Sequence, residues 1–145
     1  MWAVRKLREG RHGLFQLARD RIEADRAEGY RIIVATASHR FYAEAIAALV
    51  GADAVIATEA RRDTAGRILN RLDGDNCYGP AKLDRIVSWL ADAGIAREDA
   101  RIRFYSDHIS DAPALGWADE AFVVNADARL VRLARSHGWG VLDWR

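Results

Sequence analysis

The chain contains a single cysteine, Cys77, which excludes an internal disulfide and makes a reducing compartment the simplest setting. No apolar run approaches the roughly 20 residues needed to span a membrane. The first ten residues, Met1 to Gly10, are charged and lack the apolar core of a secretion signal, so a cytoplasmic location is expected. An excess of charge of either sign is also missing: 22 Lys plus Arg stand against 21 Asp plus Glu, a net charge of +1. That balance gives no electrostatic case for nucleic acid or an acidic membrane surface. The Arg-rich stretches, Arg61-Arg62 and Arg97 to Arg103, are interrupted by acids and read as solvated faces. Neither a Gly-x-Gly-x-x-Gly nor a Walker-type loop occurs, which argues against the common nucleotide-binding folds. Internal repeats, linkers and low-complexity tracts are absent too.

What remains is an ordinary globular composition. The 145 residues are 50% hydrophobic and 30% charged, enough for one compact domain with a real core. Strand candidates are Arg31 to Ala37, Ala54 to Ala57, Ile102 to Ser106 and Ala121 to Val124, with a weaker one at Gly140 to Leu142. Their nearly continuous apolar character fits strands buried on both faces of a parallel sheet. Helical periodicity lies between them. Leu83, Ile86, Val87 and Leu90 mark a helix stopped by Gly94, and Leu130, Leu133 and Ala134 mark one capped by Asp127 and ended by Gly138. Leu14, Leu17, Ala18 and Ile22 mark a helix stopping at Gly29, and Phe41, Ala45, Ala48 and Leu49 another ending before Gly51. Alternating strands and helices predict an α/β three-layer sandwich. The stretch from Thr58 to Gly79 fits neither period and reads as a hairpin or an extended loop.

Ligands of open parallel sheets bind beyond the carboxyl ends of the strands. Three features fall at such positions. Thr36-Ala37-Ser38 ends the first strand, where a hydroxyl and successive backbone N–H groups suit a phosphate oxygen; the alternative is a cap for the following helix. Lys82 starts a helix, against the dipole, where a nearby anion would account for a cation; the alternative is a solvated surface lysine. Asp107 and Asp111 flank a strand-to-helix turn in Ser106-Asp107-His108-Ile109-Ser110-Asp111, and such sparse carboxylates suit Mg²⁺; the alternative is a turn residue followed by a helix cap.

In this order and spacing, Thr36 after an apolar strand, Lys82 in NCYGPAK and SDHISD after another strand resemble motifs II, III and IV of the haloacid dehalogenase superfamily. The likeness runs from about Gly10 to the C-terminus and is greatest for the phosphoserine-phosphatase-like branch (subfamily IB). It implies a Rossmann-like core with a mostly parallel sheet, and a Mg²⁺-dependent phosphatase acting on a small phosphorylated substrate. Thr36, with the backbone around Ala37 and Ser38, would bind the phosphoryl group, and Lys82 would neutralise phosphate and nucleophile. Asp107 would ligate Mg²⁺, while Asp111 would hold a metal-bound water or support Lys82. The implied chemistry runs through an aspartyl-phosphate.

The same resemblance calls for an Asp-x-Asp-x-Thr nucleophile motif on a central strand upstream of Thr36, followed by a cap. Upstream of Thr36 the only aspartates are Asp20 and Asp25, within a helical, Arg-rich stretch. The lone Asp-x-Asp, Asp73-Gly74-Asp75, follows motif II and reads as turn chemistry. The chain is therefore expected to lack the central strand and the cap, to be inactive alone, and to leave sheet edges open to a second chain or dimer partner. A truncated or misplaced start is favoured over a natural remnant or one half of a two-chain enzyme. A binding or regulatory module that keeps a phosphate or Mg²⁺ site is the alternative function. His39 and His108 read as exposed loop histidines, Cys77 as a packing residue, and the five tryptophans as core. Asn125 and Asp127 read as the turn and cap after the Ala121 to Val124 strand.

Overall fold

The computed structural model describes residues 12–62, 65, 68–73 and 79–144. The chain divides into two compact units, Met1–Cys77 and Tyr78–Arg145. Cys77, Gly66 and the Gly74-Asp75 pair lie outside the described residues.

In the first unit, α1 (His12–Ala27) leads into β1 (Ile33–His39), α2 (Arg40–Val50), β2 (Ala54–Arg62) and β3 (Ile68–Asp73). The apolar run after Gly29 becomes β1, and Gly51 closes α2 in the left-handed conformation (φ +66°) that glycine adopts without a Cβ penalty. β1 and β2 pair in parallel, Ile33 opposite Ala54 and Ala35 opposite Ile56, as an intervening helix requires. The ambiguous stretch after Thr58 resolves as a hairpin: β2 continues past Ala57 to Arg62 and pairs antiparallel with β3.

α2 forms where its periodicity predicts, but with the opposite face inward. Phe41, Ala45, Ala48 and Leu49 are exposed, whereas Ala43 and Ala47 are buried. The helix RFYAEAIAALV is apolar nearly all round, so spacing alone cannot choose its buried stripe. Packing against β1 and β2 chooses the small residues, which let helix and sheet approach closely.

The second unit begins with α3 (Pro80–Asp92) and continues through β4 (Arg103–Ser106), α4 (Ala112–Trp117), β5 (Glu120–Val124), α5 (Ala128–His137) and β6 (Gly140–Leu142). Strands β4, β5 and β6 form a parallel sheet in that order. Its core is Leu115, Ala121, Val123, Ala126, Leu130 and Ala134, with Phe104, Ile109 and Trp139 packed on it. α5 is capped as predicted: the Leu130 N–H donates to Asp127 Oδ1 at 2.8 Å, and Gly138 ends it at φ +73°. Among the described residues, β1 is bonded to β2 alone and β4 to β5 alone.

Both parallel pairs are fastened at their amino ends by the same device. Asp53, just before β2, accepts the Ile32 N–H at 2.7 Å and pairs with Arg26, which also donates to the Gly51 carbonyl. Asp119, just before β5, accepts the Ile102 N–H at 2.6 Å and pairs with Arg97, which donates to the Trp117 carbonyl. In each case one carboxylate satisfies a strand-entry N–H that the ladder leaves over, and an arginine braces it. Both locks sit at the strand ends opposite the candidate site residues.

Candidate active site

In the first unit, Thr36, Ala37 and Ser38 occupy the carboxyl-terminal half of β1, where the ladder loses register. Ala35 faces Ile56 and His39 faces Thr58, so β1 spends four residues where β2 spends two. Irregularities of this kind re-aim side chains and backbone groups at strand ends, often beside active sites. Thr36 and Ala37 are half-buried, and His39 is exposed. The N-cap of α2 is His39, whose side chain makes no capping hydrogen bond.

In the second unit, Gly79 adopts φ +57° and ψ −128°, a backbone conformation that L side chains rarely take, and Pro80 follows at the first helical position. That entry makes α3 start abruptly and turns Lys82 inward within its first turn. Lys82 is 8% exposed, which removes the solvated-surface alternative. A buried ammonium near a helix N-terminus, facing the positive end of the dipole, requires a compensating anion.

Asp111 supplies it. β4 ends at Ser106, and a short 3-10 turn, Ile109–Asp111, carries the chain into α4. His108 caps that turn by accepting the Ser110 N–H at Nδ1. Asp111 stands at the N-cap of α4 yet makes no side-chain cap; it is buried, and its Oδ1 lies 2.7 Å from Lys82 Nζ. Among the described residues no donor other than this ammonium reaches Oδ1. At this distance charge attraction holds the pair. The other oxygen, Oδ2, accepts a 2.6 Å hydrogen bond from Ser106 Oγ.

The two aspartates of SDHISD therefore differ in setting. Asp107 is exposed, and Asp111 is enclosed with Lys82 and Ser106. Among the described residues no group of three or more acidic, histidine or cysteine side chains is placed to hold a metal. Asp107 alone fits the usual habit of Mg²⁺, which takes one or two protein carboxylates and fills its octahedron with waters and phosphate oxygens. Sequence reasoning passed over Ser106, although a small hydroxyl residue at the buried end of an apolar strand is a usable signal.

The haloacid dehalogenase-like hydrolase family model matches residues 3–116. The chain belongs to this family. Over 125 residues it is 27% identical to a histidinol-phosphatase of Neisseria meningitidis, covering 86% of this chain and 56% of that protein. Over 117 residues it is 32% identical to a Mycobacterium tuberculosis protein named phosphoserine phosphatase, covering 81% of this chain and 37% of that one. A crystal structure of a Bordetella pertussis protein of unknown function superposes with a TM-score of 0.83 at 30% identity, covering 88% of this chain and 57% of that one. The chain thus spans about half the length of the relatives it matches. The α/β architecture with parallel strands is that of the family's Rossmann-like core. Among the described residues no helix is long and apolar enough to cross a membrane.

Proposed function

We propose that this chain contributes the phosphate- and metal-handling part of a cytoplasmic Mg²⁺-dependent phosphomonoesterase. The observation that carries the reading is the buried Lys82–Asp111 pair beside the carboxyl end of β4, in a chain of a hydrolase family with phosphatase-named relatives. A lysine enclosed near a helix N-terminus and paired with one carboxylate has further N–H donors to offer a phosphate oxygen.

Each residue has a defined task in this reading. Thr36, with the backbone of Ala37 and Ser38 at the irregular end of β1, binds the phosphoryl oxygens. Lys82 offsets the charge that a phosphate and an attacking carboxylate bring together. Asp107, exposed and adjacent to the strand end, is the Mg²⁺ ligand; when bound, the ion would polarise a phosphoryl oxygen and help neutralise the transferring group. Asp111 serves as the counter-ion that fixes Lys82, the role its burial and both oxygen contacts favour over ligation. The nucleophile is a carboxylate outside the described residues. It attacks phosphorus as the P–O bond to the alcohol breaks and the alcohol leaves with a proton, and water then hydrolyses the aspartyl-phosphate to inorganic phosphate and the free carboxylate. We propose that the nucleophile arrives on a further strand, and that within the second unit the open edge of β4 would receive that strand. The chain by itself is expected to turn over negligibly.

The test is to supply an apolar strand ending in Asp-x-Asp, in cis or as a second chain, and to assay release of inorganic phosphate from a panel of phosphomonoesters. Mg²⁺-dependent turnover that Asp107→Asn abolishes is the expected result. A folded, Mg²⁺-binding assembly that cleaves no phosphoester would end the proposal.

A further inference from the structure

The hydroxyl of Ser106 stands at the junction of three groups. It donates to Asp111 Oδ2 at 2.6 Å, accepts the His108 N–H at 3.1 Å, and lies 3.3 Å from the His108 carbonyl. A hydroxyl has one proton to give. The short contact to a carboxylate outcompetes the longer one to a neutral carbonyl, because a charged acceptor makes the stronger and shorter bond. The proton therefore belongs to Asp111, and the lone pairs are left for the His108 N–H.

We infer that Ser106 is the positioning residue of the site, acting on Lys82 through Asp111 and on Asp107 through the turn. Resting on the phosphatase reading, this assigns a task to a side chain that touches neither phosphate nor metal. The bond to Oδ2 fixes the rotation of the Asp111 carboxylate about its Cβ–Cγ bond. That rotation sets where Oδ1 lies, and Oδ1 is what holds the Lys82 ammonium. The bond from the His108 N–H closes a turn around Asp107, whose neighbours on both sides are thereby pinned. One buried hydroxyl, 8% exposed, thus sets the position of the cation and of the turn bearing the exposed carboxylate. Removing it leaves Oδ2 buried without a donor and frees the carboxylate to turn away from Lys82.

The chain contains only two lysines, Lys6 and Lys82, so acylation by an N-hydroxysuccinimide ester, read by mass spectrometry, reports Lys82 against an internal reference. Ser106→Ala is expected to raise the Lys82-to-Lys6 rate ratio about tenfold, the order expected for loss of one charge-assisted hydrogen bond. Ser106→Thr, which keeps the hydroxyl, should restore the ratio to near that of the original chain. Leu133→Ala, which thins the core without touching the pair, controls for simple loosening and should leave the ratio unchanged. If Ser106→Ala does not fold, Ser106→Cys, close in size and a weak donor, carries the same expectation. An unchanged ratio in the Ala or Cys variant, an equal rise in Leu133→Ala, or a folded Thr variant that fails to restore it overturns the assignment. None of these readouts needs turnover. An unchanged ratio in a chain that proves active when completed therefore sinks the role of Ser106 alone, and a tenfold rise in one that proves inactive sinks the phosphatase reading alone.

Discussion

Lys82 Nζ and Asp111 Oδ1 lie 2.7 Å apart with both side chains 9% exposed, so each charge depends on the other for its place in the interior. Separating two charges from water costs several kcal/mol each, and mutual attraction returns much of that only while both are present. Removing one partner leaves an uncompensated buried charge. Lys82→Met is therefore expected to destabilise the second unit by about 3 kcal/mol, and Lys82→Met/Asp111→Asn by clearly less. Urea denaturation of the two single variants and the double variant gives the coupling; additive losses would show that the pair is not energetically linked.

Acid stability should be governed by the lock at the amino end of the second sheet. The Ile102 backbone N–H, followed by the Arg97 side chain, holds the Asp119 carboxyl below its ordinary value of 3.8. Arg101 and then Arg103 hold Glu120 below its ordinary 4.5. A carboxyl whose value is lower in the folded chain binds fewer protons there than when unfolded. Its contribution is therefore complete above the unfolded value and fades as pH falls towards the folded one. Stability should be flat from neutrality to just above 4.5 and decline below it. Both groups are partly solvated, so the decline should be modest and salt-sensitive. Asp119→Asn should flatten it while lowering stability at neutral pH, because the pairing with Arg97 loses its charge. Urea midpoints across the acid range check both slopes, and an identical slope in the variant would remove Asp119 as a source.

Gly140 is required by space rather than by backbone angle. A Cβ there would stand 2.4 Å from Phe122 Cδ1 and 2.7 Å from its Cε1. The Phe122 ring is stacked on Tyr105 with centroids 5.2 Å apart, so it cannot give way without unstacking. Gly140→Ala should cost about 1–3 kcal/mol, the usual range for an overpacked site. Thermal or urea unfolding measures the loss. A neutral result would mean that β6 can shift away from β5 at little cost.

Much of the architecture was legible because its signals are local. Asp127 and Gly138 bracket α5 through capping chemistry that acts within a few residues. Gly79 and Pro80 define where α3 starts for the same reason, since one permits an unusual backbone angle and the other needs no N–H partner. The strands read from mainly apolar runs such as Ile33 to Ala35 and Ala121 to Val124, although the described strands are only partly buried. The hairpin of β2 and β3 was legible only as one of two options, because its strands carry Arg61, Arg62, Asn70 and Arg71 in place of an apolar run.

The face of α2 was not legible. Nine of its eleven residues are apolar, so the inward side is chosen by which small side chains fit against β1 and β2. The role of Ser106 was equally hidden, because it depends on where an Asp five positions later points its second oxygen.

Local chemistry in the sequence by itself determined the alternation of strands and helices outside the β2–β3 hairpin, and with it the placing of Lys82, Asp107 and Asp111 at element ends and of Thr36 within the first strand. Those assignments rest on turn preferences and periodicity, which act over a few residues. Only the tertiary structure decided that Lys82 is buried, that Asp111 turns inward to meet it while Asp107 stays in solvent, and that Ser106 ties the turn to the pair. Burial and counter-ion choice are set by chain segments that meet through folding, and spacing along one segment carries no record of them.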